Sequence, residues 1–104
     1  MRRGEIWWAE LEQPSGRRPV VLLSRNEAYT VRSLVIVAPA TTRIRHISSE
    51  VPLGIDDGMQ QECVINLDTI FTMPKDCLKT RLVILSAKKL KEVEAAVRFA
   101  LGLE

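Results

Sequence analysis

Eight arginines (Arg2, Arg3, Arg17, Arg18, Arg25, Arg32, Arg43 and Arg45) fall within residues 1–46, with no lysine among them. Four acids, Glu5, Glu10, Glu12 and Glu27, leave that span at net +4. The remainder holds seven bases, including all five lysines, against nine acids. A guanidinium is a planar five-donor fork that fits phosphate oxygens two at a time, whereas lysine is a hydrated point charge. The arginine-only half therefore suggests phosphate recognition, with an ordinary solvated surface as the plain alternative. Arginines, hydroxyls and one carboxylate beside strand ends suit one reaction in particular, the cleavage of RNA. RNA carries its own nucleophile, the 2′-OH, so a catalyst need only align it with the leaving 5′-oxygen and stabilise the anionic phosphorane. Neither a metal nor a cofactor is called for.

Other chemistries lack their residues. One histidine, His46, and two widely spaced cysteines, Cys63 and Cys77, are too little for a structural zinc site or a Ser-His-Asp triad. No GxxxxGK or GxGxxG phosphate loop occurs. Asp56-Asp57, flanked by Gly54 and Gly58, reads as a turn rather than a metal pair. The cysteines read as small apolar core residues of a reduced, cytosolic protein. No apolar run approaches the roughly 20 residues of a bilayer span, and Glu10 and Glu12 interrupt any secretory h-region. A cytoplasmic location without a membrane partner is expected. At 104 residues, 46% apolar and 27% charged, the chain suits one globular domain, 1–104.

The elements that would position these groups are mostly short strands. Glu5–Leu11 suits a first strand, and Glu12–Arg18 a loop broken by Pro14, Ser15 and Gly16. Pro19–Ser24 is a continuous apolar run, as expected of a strand buried on both faces. A helical turn or irregular loop spans Asn26–Val31, and Leu34–Ala38 is a third strand ended by Pro39. The polar, basic stretch Thr41–Ser49 reads as an exposed loop. Glu50–Leu53 is a short edge strand, 54–58 a turn, and Glu62–Leu67 with Thr69–Met73 one strand with a kink before Pro74. Trp7 and Trp8 offer faces for base stacking, although mid-strand indoles more readily pack into a core. Finally, Ser86 caps a helix whose apolar face runs Leu90, Val93, Val97 and Leu101, filled in by Ala96 and Ala100, with Gly102 near its stop. Closely spaced short strands favour a small barrel or sandwich.

Three segments in order, Arg3-Gly4-Glu5-Ile6-Trp7-Trp8, Gly16-Arg17-Arg18-Pro19-Val20-Val21-Leu22-Leu23-Ser24 and Val35-Ile36-Val37-Ala38-Pro39-Ala40-Thr41, resemble the MazF/PemK (Kid) family of toxins. The likeness extends to Cys63–Asp68 and the C-terminal helix. It implies an α+β fold, a PemK/CcdB-like, SH3-type small β barrel with a C-terminal amphipathic helix, in a homodimer. It also implies the toxin of a toxin–antitoxin pair, a sequence-specific, metal-independent endoribonuclease that cuts single-stranded RNA, mRNA or else tRNA or rRNA, at short motifs to leave a 2′,3′-cyclic phosphate or 3′-phosphate and a 5′-OH, inhibits translation and growth, and is silenced by a cognate antitoxin.

By the same resemblance Arg18, before the proline of the Arg-Pro pair, contacts the scissile phosphate as acid or charge stabiliser. Thr41, closing the third strand, is its partner, and Asp68 matches a carboxylate used as a base in some members. Arg17, Arg43, Arg45 and His46 are the expected RNA contacts. The chain departs from the family in a short first loop, in Asn66 where many relatives have arginine, and in Thr69-Ile70-Phe71-Thr72. A CcdB-like gyrase poison and a catalytically inactive RNA-binding member are the competing readings.

Overall fold

The computed structural model describes residues 1–14 and 16–103. Seven strands, β1 (Glu5–Glu10), β2 (Arg17–Leu22), β3 (Leu34–Thr41), β4 (Glu50–Leu53), β5 (Cys63–Asn66), β6 (Phe71–Pro74) and β7 (Leu78–Ile84), form one antiparallel sheet. A helical turn, α1 (Ala28–Val31), and a long helix, α2 (Ala87–Leu101), complete the chain. The order β4-β5-β3-β2-β1-β7, with β6 also on β3, leaves the sheet open rather than closed into a barrel.

Alternation along the central strands explains why the sheet is buried on both sides. On one face Ile6, Val21, Ala38 and Ala40 join Met59, Cys63, Ile65, Val83 and the α2 residues Val93 and Ala96. On the other, Ala9, Val20, Leu22, Val35 and Val37 join Tyr29, Met73 and Leu78. Successive side chains of a strand point to opposite faces, so the unbroken run Val20-Val21-Leu22 feeds both cores and is fully buried.

Strand β3 passes through Pro39 to Thr41 instead of stopping at the proline. Leu23 N–H donates to the Ile36 carbonyl at 2.9 Å, so even-numbered residues of β3 turn their backbone groups toward β2 and odd-numbered ones toward the opposite edge. On that opposite edge β6 pairs with Leu34–Val37 and β5 with Ala40–Thr41. Pro39, which has no N–H, falls in the gap between the two partners, where no donor is required. The region expected to be one kinked strand is correspondingly two. Asn66 makes the turn between β5 and β6, accepting from Asp68 N–H at 3.0 Å and donating to Thr69 Oγ1 at 3.0 Å.

Strand β7 had no counterpart among the expected elements. Its pairing with β1 is shifted twice, between Ile6 and Trp7 and between Trp8 and Ala9, which destroys the two-residue alternation in its sequence. Helix α2 starts as expected, with Ser86 Oγ accepting from Lys89 N–H at 3.1 Å, and ends at Gly102 with φ 68°. It lies so close to the start of β1 that a Cβ on Gly4, itself at φ +93°, would stand 3.1 Å from Leu90 Cδ1. Leu101, expected on its apolar face, is 58% exposed. Eight residues past Val93 it has rotated by about 80° in a helix of 3.6 residues per turn.

Cys63 is buried, Cys77 is half-buried, and both are free thiols. Among the described residues no helix is long and apolar enough to cross a membrane. The single tyrosine, Tyr29, anchors α1 to the second core, its hydroxyl donating to the Ser24 carbonyl at 3.2 Å. Burial pushes its pKa up to about 12. The neutral phenol is the form the fold prefers. Its contribution to stability is therefore complete below the ordinary tyrosine value near 10 and lost as pH rises through about 12. Ultraviolet titration of the phenol should show this upward displacement; an unshifted midpoint would mean that water reaches the ring.

Candidate active site

Strand register assembles the site. Val20, Val21 and Leu22 of β2 face Pro39, Ala38 and Val37 of β3, and continuing that pairing by two residues sets Arg18 opposite Thr41. Both lie at the end of the sheet where β2 begins and β3 finishes. The two ends open into a cleft of about 430 Å³ lined by Trp8, Arg17, Arg18, Pro19, Ala40, Thr41, Thr42, Met59, Gln60, Gln61, Cys63 and Leu82. Its floor is the first core, reached through Ala40, Met59, Cys63 and Leu82.

Among the described residues two arginines and no acid line this cleft, so its field favours an anion. Arg17 lies over the Trp8 indole, its guanidinium carbon 4.4 Å from the ring centroid, a cation–π stack that restricts the side chain. Both indoles are half-buried rather than core residues proper. Trp7, on the opposite face, packs against the second core and donates Nε1–H to Glu5 Oε1 at 2.9 Å. Thr41 Oγ1 accepts from the Arg43 backbone N–H at 3.2 Å. With that lone pair occupied, the hydroxyl proton remains available to a phosphate oxygen. The Cys63 thiol is pushed up from its ordinary pKa by burial and, secondarily, by Asp57, so it stays protonated and is a poor nucleophile.

The structure brings together Arg17, Arg18 and Thr41 of the expected residues and leaves the others apart. Arg43 contributes its backbone, and its side chain does not line the cleft. Arg45 is held by Glu50, whose carboxylate accepts the Arg45 backbone N–H at 2.8 Å and pairs with its guanidinium at 3.7 Å. His46, at φ 57°, borders a second cleft of about 500 Å³ that also carries Asp56, Asp57, Glu62 and Lys89. That acidic lining would repel a phosphate chain. Asp68 lies outside both clefts, exposed at the β5–β6 turn. Its Oδ2 accepts from the buried Ser49 hydroxyl at 2.5 Å.

Gln60, Gln61, Thr42 and Met59 line the main cleft without having been expected there. A glutamine pair has no distinguishing spacing, and the only hint is a polar pair set between the apolar Met59 and Cys63. For Asp68 the geometry assigns a structural duty. Asp68→Ala should lower the unfolding free energy by about 1–3 kcal/mol by stranding the Ser49 hydroxyl, read as a lower urea midpoint with unchanged slope. An unchanged midpoint would show that the hydroxyl finds another partner.

Comparison with known proteins finds relatives over nearly the whole chain. The family described as "PemK-like, MazF-like toxin of type II toxin-antitoxin system" matches residues 2–101. The Mycobacterium tuberculosis protein "Probable endoribonuclease MazF2" is 36% identical over 104 residues, covering 98% of this chain and 99% of its own. Among solved structures, "Mycobacterium tuberculosis toxin MazF-mt6" superposes with a TM-score of 0.87 at 30% identity, covering 96% of this chain and 98% of that one. "Endoribonuclease in complex with its cognate antitoxin from Mycobacterial species" gives 0.88 at 26% identity over 100% and 97%. Matched by that family over residues 2–101 and by a relative 36% identical over 98% of its length, the chain belongs to the PemK/MazF family of type II toxin–antitoxin toxins.

Proposed function

We propose that the chain is a metal-independent endoribonuclease that cuts single-stranded RNA in the cleft between the start of β2 and the end of β3. The observation that supports this reading is a single cleft lined by Arg17, Arg18 and Thr41 and by no acid among the described residues. The kinship with proteins named endoribonucleases supports it.

The 2′-oxygen of the substrate attacks the adjacent phosphorus, forming a P–O2′ bond as the P–O5′ bond breaks. The products are a 2′,3′-cyclic phosphate, which water can open to a 3′-phosphate, and a 5′-OH end. Arg18 is the charge stabiliser at the non-bridging oxygens, because a guanidinium stays protonated at any working pH. The Thr41 hydroxyl donates to the same phosphate, and Arg17 holds the neighbouring backbone. Among the described residues no carboxylate or imidazole lines the cleft, and in this reading the 2′-OH gives its proton to solvent and the leaving oxygen takes one from it.

The protein acts in the cytoplasm as a homodimer, from residues 1–104 as a single domain. Apolar side chains left exposed at Leu34 and Ile36, and at Phe99, Leu101 and Leu103, offer surface that association would cover. A cognate antitoxin silences it. A relative solved with its own antitoxin supports that partnership, and an acidic antitoxin tail complements the arginine-rich half.

Purified protein incubated with a long single-stranded RNA in EDTA should give discrete fragments with 5′-OH ends; intact RNA would refute the proposal. Arg18→Ala should slow cutting by at least about 100-fold, the usual cost of one oxyanion donor, without a change in the circular dichroism. Arg18→Lys should stay well below the wild type, because an ammonium cannot reproduce the fork. His46→Ala should cut at the wild-type rate, and the pH–rate profile should lack a step near the histidine value of about 6.5. Such a step, abolished by His46→Ala, would return the histidine to the chemistry.

A further inference from the structure

Beside the two arginines the cleft holds a second kind of chemistry that a phosphate does not need: a pair of carboxamides and a flat aromatic wall. Gln60 and Gln61 sit in the segment between the turn of 3₁₀ helix Ile55–Asp57 and β5. This segment is pinned at both ends. Met59 is 7% exposed and Cys63 5%, both part of the first core, and Met59 N–H donates to the Gly54 carbonyl at 3.2 Å. The preceding turn is closed by Asp57 Oδ2, which accepts Gly54 N–H at 2.9 Å. Gly58 then reverses the chain at φ +96°, where a Cβ would meet Val83 Cγ2 at 3.2 Å. Two amides are thus held at the cleft by buried anchors only a few residues apart, and neither side chain makes a hydrogen bond among the described residues.

Opposite in chemistry, Trp8 and Arg17 are already stacked at 4.4 Å and line the same cleft. Aromatic faces and guanidinium planes are the surfaces on which unpaired bases stack, and carboxamides, with a donor and an acceptor side by side, read base edges. A cleft of about 430 Å³ lies in the size range of sites that enclose small organic groups, roughly 300–1,000 Å³.

We infer that Gln60 and Gln61 are specificity-determining residues of this cleft: they hydrogen-bond to the edge of one unpaired nucleobase next to the scissile phosphate while that base stacks on the Trp8–Arg17 wall. This rests on the reading of the cleft as an RNA site and adds to it where cutting specificity is set. Arg18 and Thr41 touch only phosphate, which is the same at every step of an RNA chain, so discrimination must come from other groups.

The test separates reading from cutting. Affinities for short RNA strands that differ at one base, carrying a 2′-deoxy sugar at the step to be cut, are compared between wild type and the Gln60→Ala/Gln61→Ala double variant. In parallel, cut sites in a long RNA are mapped for both. Both glutamines are exposed, so the variant should fold, which its thermal unfolding checks. Wild type should prefer one base at one position, and the variant should lose roughly 10-fold or more of that preference there while other positions hold. Trp8→Phe, which keeps a stacking face, should preserve the preference. Cutting by the double variant with the wild-type preference at every position would overturn the inference and leave the nuclease reading standing. Discriminating binding by a wild type that never cuts would do the reverse. Binding without base preference in either protein would overturn the inference.

Discussion

Strands β2 and β3 are buried from both sides, and their pairing is therefore fixed. Val20 and Leu22 must enter one core and Val21 the other, so a shift of one residue would turn each side chain toward the wrong core. The same constraint reaches past the paired residues to the strand ends. Arg18 and Thr41 lie two positions beyond the last paired residues, Val20 and Pro39, and inherit their placement from that register. The precision of a site made from a loop end and a strand end thus comes from apolar packing several residues away, where little can move.

Charge is sorted between the two clefts, with Cys63 on the border of both. Among the described residues one is lined by Arg17 and Arg18 with no acid, the other by Asp56, Asp57 and Glu62 against Lys89 and His46. The loop between Thr41 and Glu50 runs between these regions and is tied back by Glu50, which is buried yet holds Arg45 through both backbone and side chain. An arginine-rich sequence therefore does not make one continuous basic surface. Arg17 stacks on an indole, Arg45 is spent on a carboxylate, and Arg3 reaches the Leu23 carbonyl at 3.0 Å.

Where the chain carries a clean local signal, the sequence was enough. The run Val20-Val21-Leu22 announced a strand buried on both faces, and Ser86 with the residues after it announced a capped helix. The meeting of Arg18 and Thr41 was legible through family motifs, while periodicity supplied only the strand ends. What stayed hidden depends on partners distant in sequence. Strand β7 was masked because two register shifts against β1 break its alternation, and the passage of β3 through Pro39 is permitted only by a change of partner on its far edge. Asp68 matches a family motif, and the structure adds what the motif does not carry, a hydrogen bond from the Ser49 hydroxyl at a turn away from the cleft. Gln60 and Gln61 carry no motif at all, and only the folded turn brings them to the arginines.

The order of the strands also sets a schedule for biosynthesis. β1, made before every other strand of the sheet, finds its outer partner only in β7, and Leu82 of β7 lines the cleft that Arg17 and Arg18 of β2 enter. The core beneath that cleft is completed by Val83, Leu85, Val93 and Ala96. A nascent chain bearing every arginine of the site but lacking residues 78–96 has neither the wall nor the floor to hold them in place. The arginine cleft is consequently assembled only after β7 and the first turns of α2 have been made.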